Sequence, residues 1–150
     1  MKIAFGCDHG GFVLKAEIID YLKKNGHEII DFGIDENKSV DYPDYGLPVA
    51  ECVSAGEADF GIIACGTGIG ISIAANKVPG IRCALLSDTF SAHATREHND
   101  ANMMALGGRT IGPGLAVDIV ATFLNTSFSG DARHQRRIDK ITAIEKKYSK

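Results

Sequence analysis

The sequence predicts an α/β protein, a three-layer αβα sandwich around a parallel sheet of five strands. Three observations point there. Short apolar runs alternate with helical stripes along all 150 residues, Gly or Pro punctuates several of the boundaries, and no repeat or low-complexity linker interrupts the alternation. Strands alternating with helices imply βαβ units, whose crossovers cover both faces of a parallel sheet. At this length one domain over residues 1–150 is expected, with a core that needs no disulfide staples.

The elements follow in order. Ile3 to Gly6 reads as the first strand, and Phe12, Ile18, Ile19 and Leu22 form a helical stripe that stops near Asn25-Gly26. Glu28 to Phe32 is the second strand; Val49, Ala50 and Val53 mark a helix after Pro43, ended by Ala55-Gly56. Phe60 to Ala64 is a fully apolar third strand, followed by a small-residue helix that Pro79-Gly80 stops. Arg82 to Leu86 is the fourth strand, and Ser87 or Asp88 caps a helix reaching about His98. Met103 to Leu106 is the fifth strand, and Pro113 opens a helix to about Leu124. The last helix covers about Arg133 to Lys147, with Ile138, Ile141 and Ile144 on one face. Asp35 to Asp44 is the longest expected loop.

Composition removes several function classes. Hydrophobic residues make up 45%, charged residues 23%, and the net charge is −3. No dense run of Lys or Arg offers a nucleic-acid footprint or a polybasic membrane patch. No apolar run approaches the ~18 residues that span a bilayer. Met1-Lys2-Ile3 reads directly into a strand rather than a signal peptide. Cys7, Cys52, Cys65 and Cys83 are widely spaced and form no CxxC pair, which suggests reduced thiols and a cytoplasmic setting. The histidines lack a third ligand at metal spacing, so no metal site is expected.

In parallel α/β folds ligands bind beyond the carboxyl ends of the strands. Strand three ends in Cys65-Gly66-Thr67-Gly68-Ile69-Gly70-Ile71-Ser72. Alternating glycines let backbone approach a ligand closely, and amides at the start of the next helix can face an anion. A cysteine there sits where the helix dipole favours thiolate, beside donors suited to an enediolate oxygen. Such a thiolate could remove a proton α to a carbonyl. The dinucleotide loop fails at Ile71, a P-loop lysine is absent, and the phosphatase Cys-x5-Arg pattern fails at both Cys65 and Cys7. Two readings of Cys65 stay open at this point, a proton-transfer base or a small buried hydrophobe above a tight turn.

Other segments add chemistry. Asp8 and His9, after strand one, either face the same cleft or cap the first helix and meet solvent. His98 could shuttle a proton and Asn99 could bind sugar hydroxyls, or both belong to a polar helix end. Arg133, Arg136 and Arg137 crowd the start of the last helix, where each cation opposes the dipole by ~0.3–1 kcal/mol. An anion would remove that penalty. Arg133 and Arg137, four apart, could grip one phosphate, and Arg109 could add a third contact.

Taken together, these segments resemble the B-type ribose-5-phosphate isomerases, in the family that also holds the galactose-6-phosphate isomerase subunits. The resemblance rests on Gly6-Cys7-Asp8-His9-Gly10-Gly11, Asp41-Tyr42-Pro43-Asp44, the run Cys65 to Lys77, Arg96 to Asn102, and Arg133-His134-Gln135. It implies a flavodoxin-like or Rossmann-like fold and a homodimer, or a dimer of dimers, with each active site shared between subunits. It implies interconversion of ribose 5-phosphate and ribulose 5-phosphate through ring opening and a cis-enediolate, with no metal or organic cofactor. By position, Cys65 resembles the base, His98 the ring-opening acid, and Thr67 with the Gly66, Gly68, Ile69 and Gly70 amides the enediolate hole. Asp8, His9, Asn99, Arg109, Arg133 and Arg137 resemble substrate contacts. One branch of the family uses a Glu just after the last loop glycine; Ile71 stands there, so the chain resembles the cysteine branch. Gly130-Asp131-Ala132 departs from the paired glycines common in relatives.

Two other functions remain in view. A six-carbon substrate such as allose 6-phosphate or galactose 6-phosphate requires only a deeper pocket. A non-catalytic module on the same fold is the other: a receiver would want an acidic residue where Cys65 stands, and a nucleotide-binding module would bind ATP and show no isomerase activity.

Overall fold

The computed structural model describes residues 1–149. The chain runs β1 (Lys2–Cys7), α1 (Phe12–Lys24), β2 (Glu28–Asp31), α2 (Pro43–Ser54), β3 (Phe60–Cys65) and α3 (Ile69–Ala75). It continues through β4 (Cys83–Leu85), α4 (Thr89–Asn99), β5 (Met103–Gly107), α5 (Pro113–Leu124) and α6 (Ala132–Tyr148). Every strand pairing is parallel, in the order β2-β1-β3-β5-β4. Each element expected from the sequence is present, with ends displaced by a residue or two.

The three central strands read as continuous apolar runs because helices cover both of their faces. Period-two alternation sorts their side chains between two cores. Ile3, Phe5, Ile62, Met104 and Leu106 pack with Leu14, Ile18, Ile119 and Phe123 from α1 and α5. Ala4, Ile63, Cys65, Met103 and Ala105 pack with Val49, Ala50, Val53 and Ile71 from α2 and α3. Cys65 is therefore the last residue of β3, on the face that α2 and α3 cover.

Local chemistry explains several boundaries. Asp88, rather than Ser87, caps α4: its Oδ1 accepts the Ser91 N–H at 2.6 Å. The other end of α4 is closed by Asp100 in left-handed backbone, φ 45°. Buried Arg96 secures that turn, donating to Asp100 Oδ1 (2.7 Å) and Ala101 O (2.6 Å) while its guanidinium covers the Phe60 ring at 4.7 Å. Much of the polar Arg96–Asn102 motif thus shapes the entry to β5. Asn102 itself bridges Arg82 N and Gly80 O.

Two features of α6 depart from a simple capped amphipathic helix. Asp131 occupies the N-cap position of α6 but makes no capping hydrogen bond; its carboxylate lies 3.7 Å from Arg133 Nε instead. The apolar face of α6 is only partly used, since Ile138 is buried while Ile141 and Ile144 are 48% and 60% exposed.

Candidate active site

Three loops meet at the carboxyl ends of β1, β3 and β5. Asp8 N donates to Ala64 O, Gly108 N to Cys65 O (2.8 Å), and Arg109 N to Gly66 O (2.9 Å). The Cys65 side chain is buried, and the Gly68 N–H donates to its Sγ at 3.1 Å. Gly68 itself lies at φ 75°, a left-handed conformation that glycine adopts without strain and that leads the chain into α3. An N–H aimed at sulfur supports negative charge there.

Around the sulfur, Thr67 Oγ1 accepts the Ile69 N–H at 3.2 Å. The Gly70 and Ile71 amides, next in line, hold no hydrogen-bond partner among the described residues. α3 has only seven residues, so these local amides, more than a long helix dipole, supply the positive potential. Gly66 carries the Arg109 guanidinium close above it: a Cβ there would stand 3.0 Å from Nη1. Asp8 is buried, and its Oδ1 accepts the Gly10 and Gly11 amides at 2.8 and 3.0 Å, so it shapes the loop rather than capping α1 by side chain. His9 Nδ1 accepts the Val40 N–H at 3.2 Å, which leaves its remaining proton on Nε2.

The other cysteines have different surroundings. Burial pushes the Cys7 thiol up to about 11 and the Cys83 thiol up to about 12. Both are held as neutral thiols near pH 7, which leaves them unsuited to proton abstraction.

The remaining site candidates lie at the opposite end of the sheet. Gly61, at the start of β3, donates to Asn102 O just after α4 ends. Cys65 is four residues further up the strand, roughly 13 Å at ~3.3 Å per residue. His98 and Asn99 therefore sit below the strands' amino ends, as do Arg133 and Arg137 through the contact of His98 with His134, whose ring centroids are 4.4 Å apart. One chain brings together Cys65, Thr67, Asp8, His9 and Arg109; it brings His98, Asn99, Arg133 and Arg137 together elsewhere.

Some neighbours of the Cys65 loop had no assigned role in the sequence. The Tyr42 ring lies against Gly70, where a Cβ would stand 2.5 Å from Cζ. Leu85 packs against Gly68 yet is 45% exposed, and Phe90, at the start of α4, is 79% exposed. With Ile69 and Ile73 on α3, also exposed, they form an apolar rim beside the loop. Single exposed hydrophobes carry no sequence signal; only the fold groups them. Among the described residues no group of three or more His, Cys, Asp or Glu is arranged to hold a metal ion, and no helix is long and apolar enough to cross a membrane.

The sequence model of the ribose/galactose isomerase family matches residues 3–141. Ribose-5-phosphate isomerase B of Escherichia coli is 51% identical over 146 residues, covering 97% of each chain. The structure of Clostridium thermocellum ribose-5-phosphate isomerase B superposes with a TM-score of 0.97 at 61% identity, covering 99% of this chain and 100% of that one. A Mycoplasma genitalium ribose-5-phosphate isomerase B, solved with bound ribulose-5-phosphate, superposes with a TM-score of 0.91 at 39% identity, covering 97% and 96%. A match this long, over fold and site loops alike, carries one conclusion: the chain belongs to the ribose/galactose isomerase family.

Proposed function

We propose that this chain, as one sugar-phosphate isomerase domain over residues 1–150, interconverts ribose 5-phosphate and ribulose 5-phosphate without a metal or organic cofactor. The observation that carries the reading is the Cys65 sulfur held by the Gly68 N–H beside two amides that have no hydrogen-bond partner among the described residues. The thiolate takes the proton from C2 of the opened aldose and returns it to C1, and the developing enediolate oxygen is held by the Gly70 and Ile71 amides. Thr67, Asp8 and His9 border the same loop and contact the sugar, while the Arg109 guanidinium supplies positive charge. The substrate named for the Escherichia coli and Clostridium thermocellum relatives supports the five-carbon choice.

The acid and the remaining phosphate ligands come from a second copy. His98, Asn99, Arg133 and Arg137 lie at the opposite end of the sheet from Cys65, too far to serve the same site within one chain. A two-fold axis beside β4, an edge strand, sets two copies side by side with strands antiparallel. The amino end of one sheet then meets the carboxyl end of the other, which builds two identical sites. The exposed rim of Ile69, Ile73, Leu85 and Phe90, and the unused Ile141 and Ile144 of α6, supply apolar area for such a contact. Pairing of dimers into tetramers is compatible with this arrangement. The four free cysteines suit a reducing cytoplasm.

The test is a ribulose 5-phosphate formation assay on the pure protein with excess chelator. Turnover is expected to persist; its loss on chelation would contradict the metal-free mechanism. Parallel kcat/KM values for allose 6-phosphate and galactose 6-phosphate decide the sugar, and a preference for either would overturn the pentose assignment.

A further inference from the structure

Arg133 and Arg137 are exposed, but His134 between them turns inward and is only 5% exposed. Its ring lies against that of His98, centroids 4.4 Å apart and planes inclined at 37°. Ser129 fixes the ring from the other side. The Asp131 N–H donates to Ser129 Oγ at 3.2 Å, and the Ser129 hydroxyl pairs with His134 Nδ1 at 2.8 Å, donating to it when the ring is the Nε2–H tautomer. An imidazole accepting at Nδ1 carries its one proton on Nε2 and is neutral. The backbone of Ser129 also donates to Glu97 O at 3.0 Å, so the same loop clamps the end of α4.

The surroundings agree with that protonation state. Burial, then the neighbouring His98 and Arg133, hold the His134 imidazole below the usual histidine range, with Arg137 acting in the same sense and Asp131 opposing. On α4, Glu97 Oε2 lies 3.1 Å from His98 Nε2 and 3.3 Å from His93 Nε2. His98 therefore has a carboxylate at one edge and a fixed neutral ring on its face.

We infer that His134, locked by Ser129, is a positioning residue that holds His98 for ring opening. The inference rests on the proposed function, in which His98 is the ring-opening acid. In that step the C1–O4 bond breaks, O4 takes the proton from His98, and the O1 hydroxyl releases its proton to water as the C1 carbonyl forms. Stacking against a rigid neutral ring fixes the direction of the donated proton and adds no second cation beside the imidazolium.

The experiment separates ring opening from enolisation. Ribulose 5-phosphate is open-chain, because its O5 carries the phosphate, so exchange of its C1 hydrogen with D2O needs Cys65 but not His98. His134→Ala, Ser129→Ala and His134→Phe are compared with wild type for turnover of ribose 5-phosphate and for C1 exchange in ribulose 5-phosphate, followed by NMR. The expected result for His134→Ala is at least about a tenfold loss in kcat on ribose 5-phosphate, with exchange within about twofold of wild type. His134→Phe, which keeps a ring face, recovers part of the loss. Ser129→Ala, which leaves the imidazole in place, shows the same split in milder form and serves alone should His134→Ala not fold. Equal losses in both assays, or no loss in either, overturn the positioning role. A wild-type protein inactive in both assays would instead sink the proposed function.

Discussion

The Gly68 N–H donates to the Cys65 sulfur at 3.1 Å, and Gly68 then turns the chain into α3 at φ 75°. A Cβ at Gly68 would stand 2.5 Å from Leu85 Cδ1 and 2.9 Å from the Leu106 carbonyl carbon. Gly68→Ala therefore meets both left-handed strain of ~1–2 kcal/mol and backbone crowding. It is expected to lower kcat at least about tenfold, with a smaller change in KM, because the amide leaves the sulfur while the phosphate contacts persist. A variant with wild-type kcat would show that this donor does not matter to the base.

Cys65→Ala is expected to abolish both turnover and C1 exchange while sugar-phosphate binding survives, read by calorimetry. The substitution removes a reacting group from a wall that Gly66 and Thr67 otherwise keep. Near-normal turnover in this variant would remove Cys65 from the mechanism.

The separation of Cys65 from His98 across the sheet makes a complementation test available. Cys65→Ala and His98→Asn chains, each inactive on ribose 5-phosphate, are mixed after dissociation and allowed to re-pair. Random pairing makes half the dimers mixed, and each mixed dimer holds one intact site, so about a quarter of wild-type activity returns. A mixture that stays inactive, despite proven exchange of chains, would place both groups in one subunit.

Arg96 tests the fold rather than the chemistry. Its guanidinium joins Asp100 and Ala101 O and stacks on Phe60 and, at 5.6 Å, on Phe123. Arg96→Ala strands a buried carbonyl and frees the left-handed Asp100 turn, a loss of about 2–4 kcal/mol. At ~2–4 °C per kcal/mol for a chain of this size, Tm falls by roughly 4–16 °C. A shift under a degree would mean that the turn holds without it.

Most of the sheet was legible because its signals are local. Phe60 to Cys65 and Met103 to Gly107 are apolar runs bounded by turns, and buried parallel strands have that pattern in any sequence. The loop of Cys65 was legible for a similar reason, since alternating glycines mark close backbone approach. The roles of Arg96 and Asp131 were not. Whether a charged residue at a helix end caps, pairs or binds depends on which loop packs over it, and that information is tertiary. The same holds for His134, which the sequence places among three arginines and the fold turns toward His98. Likewise, Arg109 and Arg133 read as partners in sequence, yet strand direction sends them to opposite ends of one chain.

Stability should fall on mild acidification, and the sign follows from two histidines. His27 Nδ1 is buried with no hydrogen-bond partner among the described residues, and burial, then the nearby N-terminal ammonium, holds this imidazole below its ordinary value of 6.5. His134 is held low as well, by burial and by the charges of His98 and Arg133. A folded-state value depressed below the unfolded one means that the unfolded chain binds more protons between the two. The stabilisation from keeping these rings neutral is fully present above about pH 6.5 and is lost as pH falls through the lower folded-state values. Tm is therefore expected to drop between pH 7 and pH 5, before most carboxylates titrate. His27→Phe, remote from the Cys65 loop, removes one of the two contributions and should flatten the drop while leaving kcat unchanged. Tm curves of variant and wild type that stay parallel from pH 7 to pH 5 would show that protonation of His27 is not coupled to folding.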